Sequence, residues 1–181
     1  MKRVNKIVAA LLLASAWAGV QNAQAQGGLL APMKSQWDQT RGLVTNMTEF
    51  IPEDKYDWKP TPEVRSFREQ LSHLVGENYM LMSMAAGEPN PMPADKINAL
   101  KTKAEIVQAM KDSYAYGEKV WAGMTEAKAL EPLKMFGRDT VRAAALLGNI
   151  VDNMDHYGNL VVYVRSNGMV PPRSAPKPAA K

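Results

Sequence analysis

Proline placement divides this chain more firmly than any other feature. Pro52, Pro60 and Pro62 break one stretch, and Gly87 to Pro93 (Gly-Glu-Pro-Asn-Pro-Met-Pro) breaks a second. Pro132 with Gly137 marks a third break, and Asn167-Gly168 followed by Pro171 closes the last. Proline lacks the N–H that an interior helical residue donates, and its ring clashes with the preceding turn, so regular helix must lie between these points. Met33, Trp37, Thr40, Val44, Met47 and Ile51 alternate steps of four and three, one stripe of a helix. Ser66-Phe-Arg-Glu69 has the form of a capping box and opens a second helix running to about Ala86, with Phe67, Leu71, Leu74, Leu81 and Ala85 as its stripe. A third helix runs from about Lys103 to Met124 and a fourth from about Thr140 to Ser166. No strand pattern and no internal repeat is evident. Four amphipathic helices without strands bury their stripes best as a bundle, so the fold class is all-α.

The ends of the chain differ from its middle. Lys2, Arg3 and Lys6 precede an apolar run from Ile7 to Val20, and Ala23-Gln24-Ala25 stands before Gln26. This is the layout of a secretory signal peptide over residues 1–25, shorter than the roughly 20 apolar residues of a membrane span. The expected location is therefore periplasmic or secreted, with no membrane attachment after leader removal. Residues 26–170 are the expected bundle, and residues 171–181, rich in Pro, Ala and Lys, an expected solvated tail.

Charge narrows the function. Taking the three Lys/Arg of residues 1–25 from the total of 22 leaves 19 basic against 18 acidic side chains, mixed along the chain. Nucleic-acid binding needs clustered Lys/Arg to displace counterions, so no nucleic-acid partner is expected. There is no cysteine, so a nucleophilic thiol would have to be supplied by another molecule.

The chain has two histidines, His73 and His156. At about 100° per residue, with Asp152 at the origin, His156 falls near 40°, Asn149 near 60° and Asn159 near 340° on the last helix. Leu147, Ile150, Met154 and Val161 lie roughly opposite. This is the pattern of a helix with one solvated side. Yet the polar sector holds Asn, Asp and His without Lys or Glu. It also continues into Val141 and Ala145 before it, and Leu160 and Tyr163 after it. A polar patch with apolar flanks points to groups facing a cavity, where buried polar atoms need partners. His73 sits at the edge of the apolar arc of the second helix, where a lone histidine is ordinarily a packed residue. Glu77, one turn on, is a charge at the packing edge or a companion of His73. Two imidazoles and a carboxylate from two helices suffice to hold a divalent ion with open positions.

Residues 40–82, "TRGLVTNMTEFIPEDKYDWKPTPEVRSFREQLSHLVGENYMLM", carry a Trp-x-Pro connection, an Arg-Ser helix start and a His after a Gln-Leu pair. The stretch "DHYGNLVVYVRSNGMVPP" carries His-Tyr-Gly-Asn and a closing Arg-x-x-Gly-x-x-Pro-Pro. In these two blocks the chain resembles the DinB-like superfamily. The resemblance implies a four-helix bundle with a crossover connection, often a homodimer. It also implies a metal site made by one His of the second helix and two His four apart on the last. Carried onto this chain, the ligand positions are His73, Asp152 and His156, with Asp152 standing where the family usually has His. The extra carboxylate would weaken the ion as a Lewis acid and favour harder metals, so Zn, Ni, Mn or Fe are all admissible.

Active relatives of this kind are implied to be metal-dependent S-transferases, thiol-linked isomerases and amide hydrolases. A leader peptide removes the chain from cytosolic thiols and so disfavours the S-transferase chemistry. The resulting expectation is an exported, metal-dependent hydrolase or transferase acting on a small molecule. Glu77 would be its catalytic proton carrier or fourth ligand. The alternative is a non-catalytic bundle that binds a ligand or partner through a degenerate site. DNA repair, suggested only by the family's name, is opposed by the near-neutral charge and the leader.

Overall fold

The computed structural model describes residues 28–176, so the leader assigned to residues 1–25 and the last tail residues, 177–181, lie outside it. Four long helices dominate: α1 (Leu30–Phe50), α2 (Phe67–Ala86), α4 (Lys103–Ala122) and α6 (Arg142–Ser166). Two short helices, α3 (Ala94–Asn98) and α5 (Glu126–Ala129), fill connections. The capping box of α2 is present as read: the Ser66 side chain accepts from the Glu69 N–H, and the Glu69 carboxylate accepts from the Ser66 N–H at 2.7 Å. An equivalent box at Thr102 and Glu105 opens α4. No described helix is long and apolar enough to cross a membrane.

α2 packs against α4 and α6, and α1 packs against the same two helices. Helices α1 and α2, consecutive in sequence, therefore stand at diagonal corners of the bundle. The irregular connection of residues 51–66 crosses one end. In it Tyr56 is fully buried, and Trp58 packs edge-on against Tyr163 with ring centroids 5.7 Å apart. Close approach of α1 to α4 depends on Gly117, where an added Cβ would meet Cζ2 of Trp37 at 2.7 Å.

One expectation needs correction. The loop carrying Pro132 and Gly137 is a β-hairpin, β1 (Pro132–Met135) paired antiparallel with β2 (Arg138–Val141). Its turn residues Phe136 and Gly137 both have positive φ, 50° and 79°, the type I′ geometry that matches strand twist. Thr140 and Val141 belong to that hairpin, so the last helix begins at Arg142 rather than at Thr140. On α6 much of the polar patch faces inward, as its apolar flanks indicated, and part of the opposite apolar row faces out. Leu147 is half exposed, and Val151 and Val162 are more so. The core side instead holds Asn149, Asn153 and His156 beside Leu146, Ile150, Tyr157 and Leu160.

A hydrogen-bond network explains that choice. The Trp37 indole donates to Asn149 Oδ1 at 2.9 Å, and Asn149 and Asn153 both donate to Asn78 Oδ1, at 2.9 and 2.8 Å. Asn78 donates to Ser113 Oγ at 3.0 Å, and the Tyr114 hydroxyl donates to Asn153 Oδ1 at 2.6 Å. All four long helices contribute. Buried amides with complete partners specify one mutual alignment of helices, because any slip leaves donors and acceptors open.

Candidate functional site

Helix geometry puts Gln70, His73 and Glu77 on one side of α2, since residues three and four apart are neighbours on a helix surface. Asp152 and His156 are placed in the same way on α6. The two helices pack together, and their histidine rings meet edge to face with centroids 5.0 Å apart and planes at 77°. His156 Nε2 lies 3.5 Å from Asp152 Oδ1, and His73 Nε2 lies 3.9 Å from Glu77 Oε1. Gln70 Nε2 meets His156 Nδ1 at 2.6 Å. His156 is buried, whereas the side chains of His73, Glu77 and Asp152 are between a fifth and a third exposed. Asp152 Oδ2 is buried without a hydrogen-bond partner, as is Ser72 Oγ. A carboxylate oxygen in that condition is poorly placed unless a proton or cation joins it.

Burial first, and then the nearby Arg65 and His156, hold the His73 pKa below its ordinary value; Asp152 opposes them. Burial first, and then Asp152, push the Glu77 carboxyl up. Both shifts favour uncharged forms and work against an ion pair between the two.

His73, Asp152 and His156 are thus drawn to one place where α2 faces α6, with Glu77 beside them. Among the described residues, however, no three His, Asp or Glu side chains stand ready-made as a ligand cage. With the Gln70 amide donating to Nδ1, the His156 proton sits on Nε2, the nitrogen facing Asp152. A cation needs that nitrogen's lone pair. Turning the Gln70 amide over presents its oxygen to Nδ1–H and frees Nε2, the arrangement in which histidine ligands are usually held.

Residues 33–160 match the model of the DinB superfamily. The chain belongs to that superfamily. Among solved structures, it is similar to a DinB-like protein from Bacillus subtilis, with a TM-score of 0.64 at 22% identity, covering 77% of this chain and 93% of that one. It is also similar to a DinB-like protein from Bacillus cereus, with a TM-score of 0.66 at 15% identity and the same coverage of both chains. No curated protein matches the sequence.

Several residues of this DinB bundle escaped the sequence reading. Gln70 was visible in the Gln-Leu pair before His73, but its partner lies 86 residues away. Asn153 and Asn78 bond each other across helices 75 residues apart in sequence, beyond the reach of local pattern. Asn159, placed in the polar stripe, is exposed and bonds only Asp155, at 3.3 Å. Tyr157 is buried in the hydrophobic core. Openings reach the cluster from both sides. One cleft of about 640 Å³ runs past Ser72 to His73, and another of about 550 Å³ runs past Gln70 to His156.

Proposed function

We propose that this protein holds a divalent cation with His73, Asp152 and His156 and uses it on a small molecule that enters by the clefts. The observation that carries the proposal is the partnerless, buried Oδ2 of Asp152 beside His156, with the His73 ring on the neighbouring helix. Two imidazoles and a carboxylate suit Zn, Ni, Mn or Fe. When bound, such a cation would supply Lewis-acid polarisation of a water or thiol. Glu77 would carry the proton, since its raised pKa brings it closer to neutral pH, where a proton carrier is effective. Gln70 would hold the His156 ring in register. The reaction class that fits these groups is hydrolysis or group transfer on a small substrate. The N-terminal leader pattern supports a periplasmic or secreted site of action. The exposed row Leu147, Val151 and Val162 on α6 supports association of two copies.

Metal content of protein purified without added metal tests the reading. We expect close to one ion per chain, and loss of binding in Asp152→Ala. A second reading, a ligand- or partner-binding bundle with a degenerate site, draws on Asp152 standing at a histidine position and on the absence of a ready-made cage among the described residues. If Asp152→His creates metal affinity that the native protein lacks, the second reading holds and the first falls.

A further inference from the structure

The cleft of about 640 Å³ beside His73 falls within the size range of small-ligand sites. It is bounded by the α1–α2 connection, the first turns of α2, and the segment from Ile97 to Lys101. Its charge is uneven: Lys59, Arg65, Arg68 and Lys101 line it against Glu63 and Glu69.

Most of these charges are already engaged. The Glu69 carboxylate caps α2 at the Ser66 N–H and lies 3.8 Å from Lys59. Arg68 is held by both oxygens of Asp57, at 2.8 and 3.0 Å. Lys101 Nζ donates to the Asn98 carbonyl at 2.8 Å. Arg65 differs. Among the described residues no carboxylate lies within ion-pair distance of its guanidinium, and its side chain is exposed. Its backbone is nevertheless fixed, because the Tyr163 hydroxyl of α6 donates to the Arg65 carbonyl at 2.9 Å. Arg65 borders both the His73 cleft and the His156 cleft. An independent observation points to a ligand at the same place. Ser72 Oγ, in the wall of the His73 cleft, is buried without any hydrogen-bond partner.

An arginine with an anchored backbone and an uncommitted fork, lining the same cleft as an unsatisfied hydroxyl, is suited to a planar or tetrahedral oxyanion. We propose that this cleft binds small molecules through a carboxylate or phosphate group, clamped by Arg65 and hydrogen-bonded by Ser72, with Lys59 and Lys101 as rim charges. The remainder of the molecule would then extend toward His73. That last step rests on the proposed metal function; the anion site does not. Ile97 and Leu100 supply an apolar wall for a short carbon skeleton. The proposal therefore gives the substrate class of the site as small organic acids or phosphate esters.

The test is a titration of the metal-free, chelator-treated protein, followed by backbone amide NMR, with malonate, inorganic phosphate and the neutral isostere malonamide as probes. Saturable shifts at Ser66, Ser72 and His73 are expected with an anion and not with malonamide. Stronger binding of malonate than of phosphate would identify a carboxylate site, and the reverse a phosphate site. Arg65→Gln should weaken the anion about tenfold or more, as expected for losing a charged, two-pronged hydrogen bond. Ser72→Ala should weaken it by a smaller factor. Lys111→Gln, whose ammonium pairs with Glu49, should leave it unchanged. The fold of each variant is checked by its melting temperature. Equal response to malonamide, equal weakening by Arg65→Gln and Lys111→Gln, or absence of saturation overturns the proposal. Anion binding that persists in Asp152→Ala keeps this proposal even if the metal function fails. Metal uptake without any anion binding removes this proposal alone.

Discussion

The side-chain amide of Gln70 and Nδ1 of His156 stand 2.6 Å apart across the α2–α6 contact, in a buried position. This contact sets which ring nitrogen carries the proton and hence whether Nε2 can serve a cation. Replacing Gln70 by Leu leaves Nδ1 without a partner, and about 1–3 kcal/mol of stability should be lost in urea denaturation. Cation affinity, measured by calorimetry, should fall about 10–100-fold, the usual effect of removing such a support. Gln70→Glu, which can accept from Nδ1–H, should recover most of the affinity. Nitrogen chemical shifts of the ring should report the change of tautomer when the cation is added.

The paired shifts at His73 and Glu77 predict opposite pH responses in chelator-treated protein. The His73 pKa is lowered from 6.5, so its contribution is complete above that pH and is lost as pH falls through the folded value. The Glu77 pKa is raised from 4.5, so its contribution is complete below that pH and is lost as pH rises through the folded value. Glu77→Gln should therefore raise the melting temperature at pH 7.5 and change it little at pH 4. His73→Phe should narrow the loss of stability between pH 7 and pH 5. Melting curves at three pH values check both signs.

Asn78 is the hub of the central network, accepting from Asn149 and Asn153 and donating to Ser113. Asn78→Ala strands the Asn149 amide, while Asn153 and Ser113 keep the Asn149 and Met110 carbonyls, and should destabilise the bundle by about 2–4 kcal/mol, well above the effect of an ordinary surface change. Removing the Tyr114 hydroxyl with Tyr114→Phe opens only one acceptor and should lower stability by about 1–2 kcal/mol. Denaturant midpoints separate the two.

What the sequence makes legible follows from the range of each interaction. The four long helices, their stripes and the Ser66–Glu69 cap depend on residues within one or two turns of each other, so periodicity and spacing reveal them. The rotation of α6 is different in kind. Asn149 and Asn153 point inward because Trp37, Asn78 and Tyr114 on three other helices satisfy them, and none of those partners is adjacent in sequence. The hairpin was hidden for another reason: its strands are four residues long and carry Lys134, Arg138 and Asp139, too short and too charged for alternation to register. The meeting of His73 with residues 152 and 156 could be expected from the family resemblance, whereas the roles of Gln70 and Arg65 depend on neighbours that only the packed bundle supplies.

The hairpin turn carries its own prediction. Phe136 adopts a φ of 50°, a conformation that a bulky residue disfavours and Asn tolerates, while its side chain is largely exposed. Phe136→Asn should raise stability by about 0.5–1 kcal/mol, and Gly137→Ala should lower it by about 1 kcal/mol, both read from thermal melts.

His73 and His156 lie on helices far apart in sequence, and α6 is the last long helix among the described residues. A chain emerging in order from the ribosome presents His73 and Glu77 long before their counterparts exist. Until α6 docks, an ion meets only an imidazole and a carboxylate on a single helix, a weak and open pair. Acquisition of a cation by the proposed site would therefore be coupled to completion of the fold, and a truncated or stalled chain would hold one only weakly.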